Sequence, residues 1–465
     1  MLPSDDPPTT DEIADTPEAA VPGHVVPLGA ATRVWFAVSL RTFGGPAGQI
    51  SVMHREFVDE RRWVGERRFL HALSYCTLLP GPEAHQLAVY LGWLLNGIRG
   101  ALIAGWLFVL PGFVTLLTLS LVYVRYGETE LLQAVFVGLG PAVLAIVAQA
   151  LWRLGRRTLT SWWLLAVAVA AFMSSTFLQV PFPLVIAVAA GLGVLAVRLV
   201  PAGTDDDSIP VSVGPPPLVP DDADPLPTAP RRTVTVLVVG TVLWVLPVIA
   251  AAIVFGGDSV FVEQGRFFGA TALVTFGGAY AVLSFVAQRA VEVYGWLSPA
   301  EMVKGLALAE TTPGPLVMVL QFVAFLGAYR NPGSLEPWVA GVIGSLLLVW
   351  VLFVPSFVFV LVGAPYLERL RHNRRLRAAL VGITAAVVGV IANLAWFFAL
   401  NTLFRSLERI DQGPVSFLWP VTDSFDLRAA SIAAVGALLL IWRRWGVLQV
   451  MGACALIGVV LDLAG

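Results

Sequence analysis

Leu79-Pro80-Gly81-Pro82-Glu83-Ala84-His85-Gln86 is a polar, proline-broken segment inside a chain that is otherwise oily enough for a bilayer. Two prolines around a glycine cannot continue a helix, because each Pro lacks an N–H and its ring clashes with the preceding turn. One helix therefore stops here and another starts. At membrane depth such a break is tolerated only where it is buried in protein or lines a watery cavity. The break recurs at Pro313-Gly314-Pro315. Pro82 and Pro315 fall at the start of fresh helices, so unpaired backbone N–H groups and the positive helix ends point into the gaps. That outlines an anion site. A plain structural kink is the competing reading, because Pro and Gly are common in membrane helices. A second copy weighs against it.

Composition sets the medium. Hydrophobic residues make up 57% of the 465 and charged ones 13%, against about 25% charged in soluble domains, so the chain reads as an all-α polytopic membrane protein. A net charge of -2 gives nucleic-acid binding no support. Lys304 is the single lysine among the 29 basic residues, and Val303 precedes it, so no phosphate-binding G-x-x-x-x-G-K-[ST] loop exists for ATP. Cys76 and Cys454 lie in apolar runs, away from any metal-ligand spacing. No H-E-x-x-H or G-x-S-x-G motif supports an intramembrane enzyme. Neither metal nor cofactor is expected.

Residues 1–31, rich in Pro, Asp, Glu and Thr, read as a disordered acidic tail. Apolar stretches of spanning length, about 20 residues, follow at 33–52, 70–95, 98–124, 130–152, 161–178 and 182–199. A Pro/Asp-rich linker occupies 201–231. The second half offers 232–255, 267–289, 299–328, 338–364, 378–400, 428–443 and 446–463, for 12–13 transmembrane segments in all.

An internal repeat explains six followed by seven. At an offset of 233, Phe43-Gly44-Gly45 falls on Phe276-Gly277-Gly278, Trp63 on Trp296, and Pro80-Gly81-Pro82 on Pro313-Gly314-Pro315. At 244, Pro111 falls on Pro355 and Gly138 on Gly382. The domains are therefore a first repeat at 32–200 and, at 232–465, an extra span plus a second repeat. The extra span would start the second repeat on the opposite side, inverting it, as in secondary transporters with discontinuous helices. Arginines at 153–157, 198–232, 369–377 and 443–444 mark one face as cytoplasmic. Residues 55–68, with five arginines, fall on the wrong side in this scheme: either the first span does not cross or the segment serves another purpose.

The substrate-binding candidates are Arg41, Gly44, Gly45, Pro80, Gly81, Pro82, Gln86, Gly277, Gly278, Pro313, Gly314 and Pro315. Arg41 lies eight residues into the first span, about 12 Å along a helix, where a charge needs a cavity or partner. Glu83 and Gln86 share a helical face. Glu83 is either a first-turn acid favoured by the helix dipole or a carboxylate that takes up a proton when an anion sits beside it. Glu310 is the second proton-coupling candidate. Gln149 and Asn393, equivalent at the 244 offset, read as amides bridging helices and stay outside the site.

Phe43-Gly44-Gly45-Pro46-Ala47, the Arg/Glu-rich segment ending in Trp63, Leu79-Pro80-Gly81-Pro82-Glu83 with Gln86 and Gly92, Pro111-Gly112 and their second-half echoes together resemble the long, two-repeat form of the chromate ion transporter family. Ala279 stands where the first repeat has Pro46, and Leu316 where it has Glu83. The resemblance implies an inner-membrane exporter of chromate that confers resistance, with sulfate as the look-alike anion. A dianion leaving an inside-negative cell gains about 4.6 kcal/mol per 100 mV, so export needs no ATP. Partners would be the anion, the bilayer and, as an expectation, a second copy in a homodimer. A sulfate importer of the same fold, and a membrane sensor or scaffold acting through the tails, are the competing readings.

Overall fold

The computed structural model describes residues 25–43, 45–196, 216–220, 230–276, 278–364, 374–413 and 415–463. The first 24 residues of the expected tail and most of the 201–231 linker lie outside them. Apolar sequence without water to bond its backbone has to fold into helices, and it does. The first half holds α1 (Leu28–Ser39), α2 (Gly45–His54), a π-helical turn (Arg55–Glu60), α3 (Glu66–Cys76), α4 (Glu83–Tyr126), α5 (Glu130–Thr158), α6 (Trp162–Phe177) and α7 (Phe182–Leu195). After the extra helix α8 (Pro230–Phe255) come α9 (Val260–Val274), α10 (Ala279–Gln288), a second π-helical turn (Arg289–Val293), α11 (Pro299–Glu310), α12 (Val319–Arg330), α13 (Pro337–Gly363) and α14 (Arg374–Leu403). A hairpin, β1 (Leu407–Gln412) and β2 (Val415–Pro420), precedes α15 (Leu427–Ile441) and α16 (Val447–Leu463).

The repeat is visible in the backbone. Both π-helical turns sit at the 233 offset, and each is followed by a matching bond: Trp63 N–H to Phe57 O (2.8 Å) and Trp296 N–H to Ala290 O (2.9 Å). Left-handed residues also match, Gly45 with Gly278, Arg62 with Gly295 and Gly81 with Gly314.

The halves are inverted. α5 and α14 are equivalent at the 244 offset, yet a Cβ on Gly140 would lie 3.9 Å from Thr402 and one on Gly155 3.8 Å from Val388, so the two helices run antiparallel. The C-terminal helix pair of each half packs on the other half's long helix: Gly382 of α14 presses on the Ala189 carbonyl of α7, and Gly138 of α5 on the Cys454 carbonyl of α16. Small residues permit that backbone approach where apolar burial gives no drive between helices in lipid.

The count of 12–13 membrane segments holds as apolar lengths, but four of them are bent. Stretches 33–52, 70–95, 267–289 and 299–328 each divide into two short helices, broken from residues 40, 77, 275 and 311 onward. α4 turns back on itself at Asn96 and Gly97, where φ/ψ leave the helical region, giving segments 83–95 and 98–126. Among the described residues five helices are long and apolar enough to cross outright, α4, α5, α8, α13 and α14.

The misfit of residues 55–68 resolves here. Val25 N–H bonds Leu95 O at 3.0 Å, so α1 starts at the end of α4 segment 83–95, and Phe57, after α2, packs on Trp35 of α1 with ring centroids 4.5 Å apart, so the chain comes back to the same side without crossing. The 55–68 segment also carries linker residues: Leu218 N–H bonds Arg62 O at 3.0 Å, Val219 N–H bonds Trp63 O at 3.0 Å, and Val219 is buried. Its arginines thus lie on the same face as the linker, the arginine-rich ends of α5 and α14, and Arg443–Arg444, which follow α15 running parallel to α5. By the positive-inside rule that face is cytoplasmic.

Candidate functional site: two helix breaks clamped between the repeats

Pro80-Gly81-Pro82 and Pro313-Gly314-Pro315 meet the opposite half, not each other. Gly81 N–H donates to Thr275 O at 2.7 Å, and Gly314 N–H donates to Thr42 O at 3.0 Å. Thr42 and Thr275 are themselves equivalent at the 233 offset, so the two bonds form a reciprocal pair across a pseudo-twofold axis. Both glycines hold positive φ, 131° and 94°, a conformation that costs other residues a Cβ clash. The N–H groups of both glycines are thus taken up in bonds that clamp the halves. The available donors lie one step later. No side chain caps α4 at Pro82 or the 3-10 turn Leu316–Met318 at Pro315, so the first N–H groups of both helices lack a capping partner.

Close contacts repeat the reciprocity. A Cβ on Gly112 would lie 2.5 Å from Pro313 O, and one on Gly81 would lie 2.7 Å from Ser356 Oγ, Ser356 being the 244-offset equivalent of Gly112. Each long helix thus presses on the other half's break.

The side chains are not reciprocal. At the first break Gln86 is fully buried, donates Nε2 to Pro80 O at 2.7 Å, and leaves Oε1 without a partner. At the second, Gln49 Nε2 bonds Gly314 O at 2.5 Å and the buried Glu310 accepts from Tyr280 OH at 2.7 Å. Glu83 instead stands in a cavity of about 670 Å³ with Thr77, Arg157, Phe276, Arg377 and Thr384. Because α5 contributes its C-terminal end and α14 its N-terminal end, this cavity opens on the cytoplasmic face. Two guanidinium groups over a watery approach suit an oxyanion.

Arg41 is not deep in a helix as expected: α1 ends at Ser39, and Arg41 follows it as a turn. Its guanidinium lies 3.7 Å from Glu56, whose other oxygen takes the tighter 2.7 Å bond from Arg61, and its side chain is 59% exposed. Gly45 and Gly278 start α2 and α10 with positive φ, and a Cβ on either would meet nothing within 4 Å. Gly44 and Gly277 lie outside the described residues. His85 is packed edge-on between Phe353 and Phe357, away from Glu83 and Gln86.

Sequence reasoning missed Gln49, Tyr280, Ser356 and the use of Arg157 and Arg377, which it read only as face markers. It also missed His54, whose ring nitrogens reach Asp59 (3.2 Å) and Glu66 (2.8 Å). The π-helical turn makes the first contact: five residues per bond bring Asp59 beneath His54. These three side chains could hold a metal ion by spacing.

The chain matches the family model described as chromate transporter over residues 30–194 and 262–459. It belongs to that family. The two matched segments correspond to the two halves and skip the linker and α8. A "Chromate transport protein" of Pseudomonas aeruginosa is 32% identical over 76% of this chain and 76% of its own length. A "Probable chromate transport protein" of Synechococcus elongatus is 29% identical over 79% and 84%, respectively. A "Chromate transport protein" of Cupriavidus metallidurans is 28% identical over 90% and 89%. No solved structure matches. The family is one of transporters, and the chain is a multi-pass membrane protein with an anion as the family's substrate.

Proposed function

We propose that the chain is a secondary transporter that exports chromate across the bacterial cytoplasmic membrane and thereby confers resistance to it. The observation that carries this reading is the reciprocal pair of bonds, Gly81 to Thr275 and Gly314 to Thr42. It ties two uncapped helix starts into one inter-repeat unit, the arrangement in which inverted-repeat transporters hold a substrate at mid-membrane. The anion enters the cytoplasmic cavity past Arg157 and Arg377 and is held by the first-turn N–H groups after Pro82 together with Gln86. Arg41, loosely held by Glu56, stands beside Thr42 and serves the second break. Glu83 and Glu310 take up or release protons as the anion's charge comes and goes. Export runs with the membrane potential, worth about 2.3 kcal/mol per charge per 100 mV.

Chromate efflux from proteoliposomes, with potential and pH gradient imposed separately, tests this. Efflux driven by an inside-negative potential supports an electrogenic dianion path, and a requirement for a pH gradient assigns the coupling to the carboxylates. Movement of sulfate but not chromate would overturn the chromate reading, and movement only inward would overturn export.

A further inference from the structure

A line of polar groups in the second half leads away from the Tyr280–Glu310 pair of the second break. Tyr280, Ser284 and Gln288 are spaced by four on α10, so they form one stripe along the helix. At its inner end Tyr280 bonds Glu310. One turn on, Ser284 Oγ accepts from Asn393 Nδ2 at 3.1 Å, and Asn393 Oδ1 accepts from Thr176 Oγ1 at 2.8 Å. At the outer end Gln288 lines a pocket of about 60 Å³ with Glu292 and Arg409. α14 lines this pocket through 393–400 and the cytoplasmic cavity through 377–384. Sixteen residues of helix separate the middles of those stretches, about 24 Å, so the pocket lies toward the opposite face.

A β-hairpin covers it. The α5–α6 connection, its equivalent in the first half, is the three residues 159–161, whereas the α14–α15 connection carries β1 and β2. The hairpin's stem is pinned by Arg405 to Asp426 at 3.1 Å, and Phe417 packs on Phe177 of α6 at 5.1 Å between ring centroids. Polar side chains inside a membrane bundle are costly and face a partner or a water-filled route. Here Thr176, Asn393 and Ser284 have both, a hydrogen-bonded chain among themselves and a pocket behind it.

We propose that this stripe is the outward leg of the anion's route and that Thr176–Asn393–Ser284 is its closed outer gate, under the hairpin. The inference rests on the transport reading. Hydroxyls and an amide N–H can each transfer their bond to a tetrahedral oxyanion, so the gate opens by exchanging protein partners for the anion. Arg409 then meets the anion as it leaves.

The gate can be read without any substrate. A Tyr280→Cys reporter sits on the inner side of the chain, and the native Cys76 and Cys454 are both buried. In sealed right-side-out vesicles, a membrane-impermeant thiol reagent applied outside labels the reporter slowly. Adding Asn393→Ala raises that rate at least tenfold while labelling from the cytoplasmic face stays within twofold. An unchanged outer rate overturns the gate, and so does an equal rise from both faces, which reads as a loosened bundle. In chromate proteoliposomes, Asn393→Leu slows efflux at least tenfold with chromate binding to the solubilised protein retained, and lost binding would return Asn393 to a packing role. Wild-type liposomes that move no chromate would defeat the transport reading and leave the labelling result standing.

Discussion

The two helix breaks share a backbone and differ in chemistry. Gly81 and Gly314 have the same sign of φ, the same flanking prolines and reciprocal bonds to Thr275 and Thr42. Yet the first break opens on a charged cavity through Glu83, while the second closes over a buried Glu310 held by Tyr280. Duplication conserved what a glycine's φ and a proline's missing N–H require. It left the side chains free to diverge: Glu83 lines an open cavity at one break, and Glu310 is buried against Tyr280 at the other.

The comparison is broken most severely at the glycines. A Cβ at residue 81 would need a left-handed conformation and would also lie 2.6 Å from Gln86 Nε2 and 2.7 Å from Ser356 Oγ. At residue 314 the φ is as unfavourable, but the nearest atom, Gly112 Cα, is 3.5 Å away. Backbone strain costs about 1–3 kcal/mol, and overpacking adds about 1–3 more. Gly81→Ala should therefore abolish chromate efflux and lower the melting temperature in detergent, with Gly314→Ala retaining measurable efflux. Equal losses would mean that the clamp alone matters and the side chains over Gly81 do not.

The fold was largely legible in the sequence because the repeat rests on residues chosen for backbone geometry. Pro80-Gly81-Pro82 and its echo, and Gly45 with Gly278, survive as a pattern for that reason. Arg62 and Gly295, which share a left-handed conformation, do not align by type and carried no signal. Hydropathy counted 33–52 as a span because it sums apolar length and is blind to the bend after Ser39. The inversion was read correctly, since an even number of crossings followed by α8 flips the second half whether the hairpins count or not. The site was less legible. The bonds from Gly81 and Gly314 end on threonine carbonyls, and a carbonyl belongs to every residue, so no side-chain pattern announces them. Arg157 and Arg377 looked only like markers of one face; that they also line the approach to Glu83 depends on the packing of α5 against α14.

Arginine substitutions sharpen the same comparison at the entrance. Arg157 lines the cavity with Glu83, whereas Arg41 is shared with Glu56. A charge-assisted bond to a ligand contributes about 1.5–3 kcal/mol, and water in the open cavity screens it to the lower end. Arg157→Gln should weaken chromate binding about tenfold, measured by equilibrium dialysis on the solubilised protein. Arg41→Gln should weaken it two- to threefold. A reversed order would place the anion at the second break first.

The smallest effect is the most informative about coupling. Glu83 shares its cavity with two guanidinium groups, so an ionised carboxylate there would repel an entering dianion and a protonated one would not. Glu310 is removed from the cytoplasmic cavity, and Gln at 310 would still accept the Tyr280 hydroxyl bond. Sulfate, a dianion throughout the neutral range, serves as the probe because its own charge does not change. With wild-type protein, sulfate binding should weaken as pH rises, since deprotonation adds a negative charge beside it. Glu83→Gln should flatten that dependence and tighten binding a few-fold at the alkaline end, leaving the acidic end unchanged. Glu310→Gln should keep the wild-type slope for binding and lose the pH dependence of efflux alone. If Glu310→Gln flattened the binding curve and Glu83→Gln did not, the roles of the two breaks would be exchanged, with the buried carboxylate sensing the anion and the cavity one only balancing Arg157.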